Sequence, residues 1–180
     1  MASGKTWNRR IALAGGAALA ATGGYFALRG PSGSRAPRKV TDARTLLRGN
    51  AAEPETLDPT QSSGTQESEI MGDLMIGLTT HDPACKAIPG MATHWETSGD
   101  GLIWTFHLRE ALWSDGVPVT AGDFVFSWQR LVDPASASSY AYFLHLIKNG
   151  VAISAGKMPP SALGARAIDA RTLRVELEHP

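Results

Sequence analysis

The sequence predicts a mixed α/β fold of the α+β kind. Three observations predict it: an alternating run, a turn signal leading into a capped helical run, and a second pair of short alternating runs near the end. In LIWTFHLR (102–109), Leu102, Trp104, Phe106 and Leu108 fall on one side of an extended chain. Ile103, Thr105, His107 and Arg109 fall on the other, the period-2 pattern of a half-buried strand. Ser114-Asp115-Gly116 before Val117-Pro118 supplies side-chain acceptors, a residue tolerant of positive φ and a fixed φ, which together predict a reversal. Thr120 followed by Asp123 resembles a capping box with the shorter acid. Phe124, Trp128 and Leu131 then recur at helical spacing until Asp133-Pro134, which predicts a helix over 121–132.

The elements before this block start with a leader. Lys5, Arg9 and Arg10 precede an uncharged, Ala/Gly-rich stretch at 11–28, the pattern of an export signal. Asn8-Arg9-Arg10-Ile11-Ala12-Leu13 resembles a twin-arginine signal, and Ala18-Leu19-Ala20 offers a small-residue cleavage site. An uncleaved membrane anchor is the alternative, because the uncharged run approaches bilayer-spanning length. The expected division is thus 1–28 as export signal or anchor, 29–45 as a Pro/Gly/Ser linker and 46–180 as the folded part. Within 67–78 (ESEIMGDLMIGL), Ile70, Leu74 and Leu78 lie four apart with Met71 and Met75 beside them, which predicts an amphipathic helix whose apolar face is core. Cys85 is the single cysteine, so no intrachain disulfide can form, and a surface or half-buried loop thiol is expected.

After the central helix, 136–146 (SASSYAYFLHL) is apolar on part of its circumference and is expected to be helical from about Ser139. Gly156 to Pro160 breaks it. Ile168-Asp169-Ala170-Arg171 joins two short alternating runs, in the second of which Leu173, Val175 and Leu177 share a face.

Composition bounds the function. The chain is 43% hydrophobic and 19% charged with five Trp, which suits a packed domain and excludes a disordered or collagen-like chain. Its zero net charge hides an asymmetry. Residues 1–48 hold nine of the 17 Lys/Arg and one of the 17 acids, leaving eight basic and sixteen acidic residues for 49–180. An acidic body without a basic, aromatic-interleaved stripe argues against nucleic acid as a partner.

The literal residues carry a further signal. WTFHLRE, then WSDGVPVTAGDFVFSWQRLVDP, resembles the N-terminal lobe of the extracytoplasmic oligopeptide-binding proteins of ABC importers (solute-binding protein family 5). LRGNAAEPETLDP (47–59) is similar to that family's opening strand and Leu-Asp-Pro turn, IPGMATHWETSGDG (88–101) to its next segment, and LGARAIDARTLRVELEHP (163–180) to the hairpin that returns to the first subdomain. The resemblance implies a periplasmic-binding-protein type II-like N-terminal lobe, truncated before the hinge and second lobe. Residues 46–60 and 165–180 would belong to the first subdomain and 61–164 to the inserted one. It implies a monomer that binds short peptides and delivers them to an inner-membrane ABC permease, with no cofactor. Cys85 lies too far from the leader for a lipid anchor, which favours the periplasm of a two-membrane cell.

The family's strand-like ligand clamp follows its Leu-Asp-Pro turn, so the resemblance places Ser63, Gly64 and Thr65 there, pairing with peptide through main-chain groups. Relatives commonly carry glutamate at position 63 and valine-proline at 65–66, so any charged contact from 63 would be lost. Tyr140 matches an aromatic that faces the family's cleft. An ordinary polar loop at 63–65 and a core tyrosine at 140 are the plainer alternatives. Nickel complexes, haem or sugars are other ligands within the family, and a non-transporting remnant is a further alternative.

Catalysis has little support in the sequence. No G-x-S-x-G elbow, P-loop, HExxH or CxxC occurs, and His81, His94, His107, His145 and His179 are not spaced as a ligand cluster, so neither an enzyme nor a metal site is expected. An exported hydrolase would need an activated nucleophile that is not there. Asp115 and Asp123 have turn and capping roles, and Trp104, Trp113 and Trp128 are expected in the core.

Overall fold

Helix and sheet are segregated around one apolar core in the computed structural model, which describes Arg44, Gly49, Asn50 and residues 52–180. The leader expected over 1–28 and nearly all of the linker over 29–45 lie outside the described residues. Among those described, no helix is long and apolar enough to cross a membrane.

In chain order the elements are α1 (Thr65–Leu74), β1 (Thr79–His81), β2 (Ala87–Pro89), β3 (Ala92–Thr97), β4 (Ile103–Leu108), α2 (Ala121–Val132), α3 (Gly150–Ser154), β5 (Ala165–Ala167) and β6 (Thr172–Glu176). Short 3-10 turns at Pro134–Ser136, Ala141–Leu144 and Pro160–Ala162 join the later ones. β1 and β2 form a small antiparallel ribbon, and the main sheet is antiparallel in the order β3-β4-β6-β5. β4 pairs directly with β6, so the middle and last segments of the chain meet in one sheet.

The alternation expected in the strand at 102–109 sets the sheet's two faces. Trp104 lies opposite Val175 and Phe106 opposite Leu173 on the core face, where Leu108, Leu173 and Val175 are buried. His107, Arg166 and Arg174 lie on the other face with His94 and Glu96 from β3. The predicted helix matches α2, and the Asp123 carboxylate accepts the Thr120 N–H at 2.7 Å and its hydroxyl at 3.1 Å. Ala121 and Val132 are buried, Phe124, Val125 and Trp128 pack on the core, and Phe126 on the opposite side is exposed. The turn also forms: Gly116 takes φ +87 and the Asp115 carboxylate accepts the Val117 N–H.

Four expectations need correction. The helix expected over 67–78 starts earlier and stops at Leu74, and its apolar face is not core. Leu74, Met75 and Ile76 are exposed, and the buried side chain of α1 is Glu67. Non-local pairing overrides the helical pattern: the Gly77 carbonyl accepts from Met91 N–H and the Leu78 carbonyl from Gly90 and Ala92 N–H. Gly90 is required there, since a Cβ would sit 2.6 Å from the Gly77 carbonyl oxygen.

The segment 136–146 forms separate 3-10 turns, because Ala137 takes a left-handed φ of 47 that ends the first. The opening strand expected near 47–59 is not formed among the described residues. Residues 52–57 join no ladder, and the Glu55 N–H donates to the Glu67 carboxylate instead. Trp113 is exposed at the tip of its turn, whereas Trp104 and Trp128 pack on the core as expected. The alternating runs at the end form the β5–β6 hairpin, with Leu173 and Val175 buried as their shared face required.

Candidate binding site

The Leu57-Asp58-Pro59 turn is held from two directions. Its own backbone folds onto Asp58, whose carboxylate accepts the Thr60 N–H at 3.0 Å and whose carbonyl accepts from Gln61 and Ser62. From α2, the Arg130 guanidinium forks onto both carboxylate oxygens at 2.6 and 2.5 Å and donates to the Thr60 hydroxyl at 3.0 Å. That hydrogen bond from Arg130, helped by the Thr60 N–H, lowers the Asp58 pKa from 3.8 to about 2. Sequence reading missed the pair, because nothing local links two residues so far apart.

The turn delivers the chain to Ser63, which is exposed, then to Gly64 in extended conformation (φ −95, ψ 159) and to Thr65, the first residue of α1. The Tyr140 hydroxyl donates to the Ser63 carbonyl at 3.1 Å. The four sequence-predicted residues are therefore brought together, with Tyr140 stacked on Phe143 at 5.5 Å.

The main-chain groups of the segment are unequally used. The Ser63 carbonyl is taken by Tyr140 and the Gly64 carbonyl by the N–H and hydroxyl of Ser68. The N–H groups of Ser63, Gly64 and Thr65 donate to no described residue. Thus donors are open here, where the sequence led us to expect open donors and acceptors alike. Beneath them Glu67 is buried; one carboxylate oxygen accepts the Glu55 N–H at 2.8 Å, and the other has no partner among the described residues.

Two further features lie elsewhere. An open apolar hollow of about 340 Å³ is lined by Trp104, Phe106, Trp128, Phe143, Leu146 and Leu177. On the polar face of the sheet, His94, Glu96 and His107 place their candidate ligand atoms within 4.8 Å of one another. Spacing along the chain singled out no such group. The signal available was His94 and Glu96 two apart on one strand and His107 on the polar side of the next; spacing along the chain hid it because register, not proximity in sequence, assembles it.

Residues 86–180 match the family model described as bacterial extracellular solute-binding proteins, family 5 Middle. The chain belongs to this family. Within family 5 it is 44% identical over 158 residues to the periplasmic murein peptide-binding protein MppA of Escherichia coli, covering 86% of this chain and 28% of that protein. It is 48% identical over 145 residues to the periplasmic oligopeptide-binding protein OppA of Salmonella typhimurium, covering 79% and 26%. Among solved structures it is similar to Haemophilus influenzae OppA in complex with RPPGFSPFR (TM-score 0.69, 45% identity, 73% of this chain and 26% of that chain). The chain thus spans about a quarter of the length of the family-5 relatives it matches. These relatives are named as binding proteins, and both curated ones as periplasmic.

Proposed function

We propose that this chain is the N-terminal part of an exported, periplasmic solute-binding protein that captures short peptides and hands them to an inner-membrane ABC permease. It acts as a monomer, by binding and release without chemistry or cofactor. The observation that carries this reading is the row of unpaired N–H groups at Ser63, Gly64 and Thr65, beside Tyr140. Open amide donors on the extended Ser63-Gly64 segment, continued by the first N–H of α1 at Thr65, suit the carbonyls of an extended peptide, whose recognition then depends little on its side chains. The peptide-binding names of relatives at 44 to 48% identity point the same way.

In this account residues 46–60 and 165–180 belong to the first subdomain and 61–164 to the inserted one, with β6 of the one joined to β4 of the other in a single sheet over a shared core. Residues 1–28 direct export by the twin-arginine route. Native purification followed by mass spectrometry of bound material tests the proposal. Co-purified short peptides, and a thermal shift with a peptide library, are the expected results; absence of both refutes peptide capture by this chain.

A further inference from the structure

We propose that His94, His107 and Glu96 form a surface site for a divalent transition metal of the zinc type, a site independent of peptide capture. The β3–β4 register sets His94 directly opposite His107, and the imidazole rings stack with centroids 4.4 Å apart and planes 10° from parallel. Glu96, two residues along β3, shares the face of His94. Its carboxylate comes to 3.8 Å from His107 Nε2, too far for a hydrogen bond. His107 Nε2 is buried and has no hydrogen-bond partner among the described residues, so a ring nitrogen is held against this cluster with none of them to satisfy it.

The surrounding hydroxyl orders the second imidazole. Thr93 Oγ1 donates to the His107 carbonyl at 3.1 Å, which uses its one proton, and it lies 3.0 Å from His94 Nδ1. Toward Nδ1 the hydroxyl can then only accept, so Nδ1 carries the proton and Nε2 keeps the lone pair. Metal-binding histidines are commonly oriented by such a partner on the far nitrogen. Two imidazole nitrogens and one carboxylate oxygen form a borderline donor set that suits zinc and does not suit magnesium. Tetrahedral coordination needs donors about 3.3 Å apart. One candidate ligand atom from each residue lies within 4.8 Å of the other two, and rotation of the exposed Glu96, with a tilt of His94 about its Thr93 contact, would close that gap. The bound ion would tie β3 to β4 at the edge of the sheet.

Calorimetric titration of the untagged chain with Zn²⁺, against Mg²⁺, tests the site. One Zn²⁺ bound at the sheet, no Mg²⁺, and a Zn²⁺-dependent rise in melting temperature are expected. His94→Ala and Glu96→Gln change exposed side chains, so far-UV circular dichroism should remain unaltered. Each should weaken zinc binding at least about tenfold, since loss even of an orienting partner costs that much. His81→Ala, on the exposed end of β1, should bind as the parent does. No zinc binding by the parent, or undiminished binding by His94→Ala, would overturn the proposal.

Discussion

Arg130, on the third turn of α2, and Asp58, in the Leu-Asp-Pro turn, form a two-pronged ion pair across 72 residues of sequence. This pair orients the turn from which residues 63–65 emerge, with the Thr60 hydroxyl as third member. Only a planar guanidinium meets both carboxylate oxygens at once, so Arg130→Lys should loosen the turn although it keeps the charge.

The pair makes stability depend on acid. Asp58 is depressed from 3.8 to about 2 in the folded chain, so its contribution is complete above the unfolded value and is lost as pH falls through the folded one. Melting temperature measured between pH 5 and pH 2 should therefore drop more in the parent than in Asp58→Asn, most of the difference arising between about pH 4 and pH 2. Parallel profiles would show that the pair contributes nothing.

Gly64 abuts the buried carboxylate beneath it. A Cβ at this position would fall on the unpartnered oxygen of Glu67 and within 2.8 Å of the Gln66 side chain. Gly64→Ala should displace that carboxylate and free the Glu55 N–H, at a cost of roughly 1–3 kcal/mol by denaturant titration. The same substitution made in Glu67→Ala should cost less, because the tighter of the two clashes is gone and only the flexible Gln66 side chain must move.

Two leucines separate the core as folded from the core as patterned. Leu173 on β6 is fully buried, and Leu173→Ala should destabilise by about 2–5 kcal/mol. Leu74, at the end of α1, is 67% exposed, and Leu74→Ser should fall within about 0.5 kcal/mol of the parent. Equal effects in chemical denaturation would restore the methionine-rich face to the core.

Elements governed by neighbours in sequence were legible. The bounds of α2 follow from Thr120, Asp123 and Asp133-Pro134, and those of β4 from strict alternation. Elements decided by distant partners were not. The pattern through Met75 and Leu78 continues a helix, but Leu78 is claimed by Gly90 and Ala92. Likewise Ser63, Gly64, Thr65 and Tyr140 were nameable from family resemblance, whereas Arg130 and the His94–His107 pair needed the fold to bring them into place.

The claim at the centre of this account is that the Ser63, Gly64 and Thr65 amides receive an extended peptide. Hydrogen exchange of those three N–H groups, followed by NMR with and without peptide, tests it most directly. A suitable host is a full-length family-5 relative whose matching segment is replaced by residues 49–180. Slowed exchange at all three on adding peptide, partly reversed by Tyr140→Phe, is the predicted result. Unchanged exchange at 63–65 under saturating peptide, or no binding by the chimera, would contradict it.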